Sequence, residues 1–67
     1  MNRKTIKRWM VDNIEDHRDH LTNEVNFTTL AEDAAREFNL YDERHPNQAA
    51  EFLFDLALEA SDEAEQS

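Results

Sequence analysis

Cysteine and glycine do not occur in this chain, proline occurs once, at Pro46, and no lysine follows Lys7. Without cysteine there is neither a disulfide nor a zinc-thiolate site, the usual staples of a small domain. The best enzymatic nucleophile is missing for the same reason; serine is confined to Ser61 and Ser67, and the threonines sit where helices would be capped. The lack of glycine rules out a phosphate-cradling loop. It also argues against tight hairpins, which need residues tolerant of positive φ, and only two valines and two isoleucines are on hand for strands. Where positive φ is required, Asn23, Asn26 and Asn39 are the substitutes. No apolar run approaches the roughly 20 residues that cross a bilayer, and Trp9-Met10-Val11 is too short for the apolar core of a signal peptide. These absences lead to the expectation of a cytoplasmic protein with no membrane partner.

What remains is rich in Ala, Leu, Glu, Asp and Arg, a composition of helices joined by short turns. Sixty-seven residues make one domain, 1–67, near the lower size limit for independent folding, where roughly 60% of the unfolded surface is buried. The net charge of −9 is unevenly placed. Arg3, Lys4, Lys7 and Arg8 make the start basic and leave three arginines against sixteen carboxylates in the rest. The body of the chain should therefore repel nucleic acid and favour basic partners.

The expected architecture is all-α, a small three-helix bundle with helices at about 3–21, 29–38 and 46–61 and a frayed acidic tail. The first helix, capped by Asn2 or Thr5, carries its inward stripe on Ile6, Trp9, Met10, Ile14, His17 and Leu21. Thr29-Leu30-Ala31-Glu32 matches a capping box for the second, with Thr28 or Asn26 as other caps, and Leu30, Ala31, Ala34 and Phe38 facing inward. Asn39 is placed as a left-handed C-cap followed by apolar Leu40. Pro46 suits the first position of the third helix, whose polar stripe is Gln48, Glu51, Asp55, Glu59 and Asp62. Two stripes do not cover Phe52, Leu53, Phe54, Leu56 and Leu58 together unless Val25, Leu40 and Tyr41 fold over them.

Three kinds of chemistry come into consideration. Phe27-Thr28-Thr29-Leu30-Ala31-Glu32-Asp33-Ala34-Ala35 resembles the first helix of the helix-turn-helix motif, with its Leu-Ala pair and a small residue further on. That resemblance implies a DNA-associated regulator, although the following connection, 39–45, is longer than the motif's turn and the third helix would set Glu51, Asp55 and Glu59 toward phosphate. Contact with DNA would then fall to Arg3, Lys4, Lys7 and Arg8. His17 and His20, three apart with Asp16 nearby, supply two metal ligands where a site needs three or four, so neither a metal nor a cofactor is expected. No catalytic residue is assigned either, since nothing in the pattern buries a carboxylate pair. The favoured function is non-catalytic: a small acidic adaptor, inhibitor or regulator, with nucleic-acid mimicry as one form of it. Its expected partner is another protein with a basic patch, or a second copy in a homodimer, met through Glu51, Phe52, Phe54, Asp55, Leu56 and Glu59.

Overall fold

The computed structural model describes residues 2–66. The order is helix α1 (Arg3–Asn13), a 3-10 turn (Ile14–His17), helix α2 (Phe27–Phe38), strands β1 (Tyr41–Asp42) and β2 (His45–Ala49), and helix α3 (Glu51–Gln66). An antiparallel two-stranded sheet therefore sits between the second and third helices, and the expected all-α three-helix bundle is corrected on this point.

The hairpin forms for reasons that the same residues supply. His45 precedes a proline and is biased to extended backbone, and this bias extends into a strand rather than ending at a helix start. Pro46 has no N–H to give the ladder, and the register slips around it, from Asp42↔His45 to Tyr41↔Ala49. The turn does without glycine because Asp42 Oδ1 accepts the Arg44 amide at 2.8 Å. Among the described residues only Asn23 and Asn39 have positive φ, so neither central turn residue, Glu43 or Arg44, needs it.

The helix boundaries move accordingly. α1 stops well short of residue 21 because Asn13 turns its side chain back, Nδ2 donating to the Trp9 carbonyl at 2.7 Å, and the chain tightens into the 3-10 turn. Residues 18–26 then form a loop closed by its own hydrogen bonds. Arg18 bridges Val25, the Asn26 amide donates to the His17 carbonyl, and Asp19 Oδ1 accepts the amides of Leu21 and Thr22. Leu21, expected on the inward stripe, is 96% exposed at the tip of that loop. α2 begins at Phe27, two residues before the expected start, because Asn26 is the cap and accepts the Thr29 amide at 3.1 Å. Asn26→Ala should cost about 0.5–2 kcal/mol in chemical denaturation. Asn39 does adopt the left-handed conformation, φ 56°, and the Leu40 amide reaches the Ala35 carbonyl. α3 starts five residues later than expected and stays helical through Gln66, so the acidic end described here is not frayed. Its buried row Leu53, Leu56, Ala57, Ala60 and Ser61 continues to half-buried Ala64, which gives the last turns something to pack on.

The core draws Ile6, Met10 and Ile14 from the first helical segment, Leu30, Ala31, Ala34 and Ala35 from α2, Ala49 from β2, and Leu53, Leu56, Ala57 and Ala60 from α3. The alanines let the helices approach closely. Val25 and Leu40 pack against this core, as do Trp9 and Phe38, whose rings meet edge to face at 6.0 Å. Tyr41 remains exposed.

Candidate functional site

α3 packs on α1 and α2 with one side, and its outer side carries Glu51, Asp55, Leu58, Asp62 and Glu65, all exposed, with half-buried Phe54 at the edge. At 100° per residue, Phe54 and Leu58 are neighbours four apart, and the carboxylates of Glu51, Asp55, Asp62 and Glu65 lie one turn or two from Leu58 on the same surface. Leu58 is 50% exposed. None of these four carboxylates belongs to an ion pair formed among the described residues.

The neighbouring strip of α3 is different because the basic start of α1 lies against it. Arg3 reaches Glu59 at 3.1 Å and Lys7 reaches Glu63 at 3.1 Å. The Arg3 guanidinium also stands 5.8 Å from the Phe52 ring centroid. The residues expected to act together are thereby separated. Glu51, Phe54 and Asp55 are on the outer face, Phe52 and Glu59 are engaged by Arg3, and Leu56, 2% exposed, belongs to the core rather than to any docking surface. Of the basic residues, Arg3 and Lys7 are committed to α3, Arg8 lies 3.5 Å from Asp12, and Lys4 is exposed. The surface pair Arg3–Glu59 is solvated, so Glu59→Gln should change stability by less than about 1 kcal/mol in thermal unfolding.

Leu58 is the residue that the sequence reading left out of the expected surface. The signal was available: on a helical projection it falls inside the acidic stripe, away from Leu53, Ala57 and Ala60.

At the C-terminal half of α3, buried Ser61 and exposed Glu65 form one wall of an open groove of about 500 Å³. The loop supplies the other wall through Arg18, Asn23, Glu24 and Val25, together with Phe27. Arg18 is not a free cation there, since it holds both carboxylate oxygens of Glu15, at 3.0 and 3.2 Å, and donates to the Asn23 carbonyl at 2.9 Å.

The second ionic feature joins the 3-10 turn to α2. His17, whose side chain is 8% exposed, has Nδ1 2.8 Å from the Asn13 carbonyl oxygen and Nε2 2.6 Å from Asp33 Oδ2. A carbonyl only accepts, so Nδ1 carries a proton, and the carboxylate favours one on Nε2 as well. Burial alone would lower the pKa of this imidazole. The hydrogen bonds to Asn13 and Asp33, with the charges of Asp33 and Asp16, outweigh it and raise the pKa above the ordinary value. Asp33 is held in turn by Arg36. With both ring nitrogens engaged, His17 presents no lone pair to a metal, and no group of three His, Cys, Asp or Glu residues among those described is placed to hold one.

No helix among the described residues is long and apolar enough to cross a membrane. The connection already too long for a helix-turn-helix turn holds the β1–β2 hairpin, which separates α2 from α3. No family model, no curated protein and no solved structure matches this chain.

Proposed function

We propose that this chain is a non-catalytic protein-binding domain, an adaptor or inhibitor of the cytoplasm, that docks a partner with a basic patch on the outer face of α3. The observation that carries the reading is the position of Leu58, half exposed beside Phe54 and surrounded by Glu51, Asp55, Asp62 and Glu65, none of them paired with a cation among the described residues. An apolar centre with a charged rim is the usual anatomy of a docking surface, and unpaired carboxylates steer a basic partner and speed its arrival. The same carboxylate row would serve a protein that mimics nucleic acid. Self-association through this face is disfavoured, because two copies would bring like charges together. Contact with DNA through the start of α1 is also less well supported, since Arg3 and Lys7 already neutralise Glu59 and Glu63.

Affinity capture with wild-type bait, beside Leu58→Asp and Leu21→Asp baits, tests the reading once the captured partner is purified and its binding measured directly. Leu58→Asp should weaken that binding by about tenfold or more, as expected at the centre of an interface, and Leu21→Asp should not. A partner indifferent to Leu58→Asp would remove α3 from the account. Light scattering behind size exclusion should report a monomer at low salt.

A further inference from the structure

Three features of the outer surface point to one kind of occupant for the α3 face. The first is length. α3 has 16 residues and runs about 24 Å, long enough to lie against several turns of a second helix. The second is relief. Half-buried Phe54 and half-exposed Leu58 lead, one turn on, to Ser61 and Glu65, and these are the α3 wall of the groove whose other wall holds Val25 and Phe27. Val25 and Phe27 give the recess beside that pair an apolar lining within a polar and charged rim. The third is charge. Glu51, Asp55 and Asp62 line the face, Glu24 and Glu65 stand at the groove, and Arg18, which also lines it, is tied to Glu15 and Asn23.

We infer that the occupant is a cationic amphipathic helix. Its apolar residues, at three- and four-residue steps, cover Phe54 and Leu58 and send one side chain into the groove between α3 and the 18–26 loop, while its flanking lysines and arginines meet the two sets of carboxylates. A helix fits because apolar pairs four apart on α3 are matched by knobs at the same rise on a partner helix. A second copy of this chain does not fit: its α3 carries the same negative charge, and its one basic helix, α1, already spends Ile6 and Met10 in the core and Arg3 and Lys7 on Glu59 and Glu63. This inference rests on α3 being the docking face, and it adds the secondary structure, charge and anchoring recess of the ligand.

Fluorescence anisotropy on the full chain, with three labelled synthetic peptides, tests it. One is a Leu/Lys peptide of about 18 residues with a helical leucine stripe, one has the same composition scrambled, and one has the lysines replaced by glutamine. The striped Leu/Lys peptide should bind about tenfold or more tightly than either other peptide, and weaken on going from about 50 to about 300 mM salt. Leu58→Ser should reduce its affinity by about tenfold. Glu65→Lys at the groove should weaken binding more than Glu37→Lys, an equal charge change on exposed α2 surface. If the glutamine peptide binds as tightly and still depends on Leu58, the cationic helix is overturned and the docking face stands. If scrambled and striped peptides bind alike and Leu58→Ser is silent, only polyelectrolyte attraction is present and both readings fall. Equal effects of Glu65→Lys and Glu37→Lys would overturn the use of the groove.

Discussion

Leu53→Ala is expected to cost about 2–5 kcal/mol, the range for a fully buried leucine whose cavity cannot collapse. Leu53 is 0% exposed, and it sits on α3 where that helix meets both α1 and α2. Chains of this size hold roughly 3–10 kcal/mol of net stability, so a loss of that order removes much or all of it. At about 4–8 °C per kcal/mol, thermal unfolding should fall by at least about 8 °C. Leu58→Ala, five residues along the same helix, removes the same atoms from a half-exposed site and should stay within about 0.5 kcal/mol. Circular dichroism melts of the two variants side by side measure the contrast. Comparable losses would mean that Leu58 is covered, and the docking face on α3 would go with it.

That contrast also marks how far sequence could lead. α3 was legible as the central helix because its apolar arc is too wide for one neighbour, and Leu30, Ala31 and Ala34 were legible as the inner face of α2 through their three- and four-residue spacing. Asn39 was legible as a left-handed cap because a chain without glycine has few other choices. The hairpin was not legible. β1 and β2 have little periodicity to display, their turn is closed by the Asp42 side chain, and the Pro46 that interrupts their ladder is also a good helix opener. α1 was read too long because Ile14, His17 and Leu21 keep helical spacing after Asn13 and Asp19 have diverted the backbone to side-chain acceptors and donors. The candidate site divides in the same way. Glu51, Phe54 and Asp55 follow from the polar stripe and the apolar surplus. The loss of Phe52 and Glu59 to Arg3 is a long-range contact between the two ends of the fold, and no local pattern announces it.

Asp33→Ala is expected to destabilise the chain by about 1–3 kcal/mol, because it leaves the enclosed His17 Nε2–H without its acceptor. The charge on His17 gives this contact a pH dependence whose sign is fixed. Burial works against the imidazolium, the Asn13 carbonyl, Asp33 and Asp16 work for it, and the net effect is a raised folded-state pKa. The folded chain therefore binds the proton more tightly than the unfolded chain does. The resulting stabilisation is fully present below the unfolded value of about 6.5, and is lost as pH rises through the raised folded value. Arg36 is the other charge facing Asp33. The groups that act on the His17 proton are the Asn13 carbonyl and Asp16 on its own side and Asp33 across from it on α2, with Arg36 and Glu37 lining the same recess. Urea denaturation of wild type and His17→Gln, followed from about pH 6 to about pH 9, isolates the contribution, because other titrations are common to both proteins. The stability difference should be largest at the acid end and shrink toward the alkaline end, and Asp33→Asn should flatten the slope. A difference that instead grew with pH would mean that the imidazole is held neutral, with Asp33 contributing no net attraction.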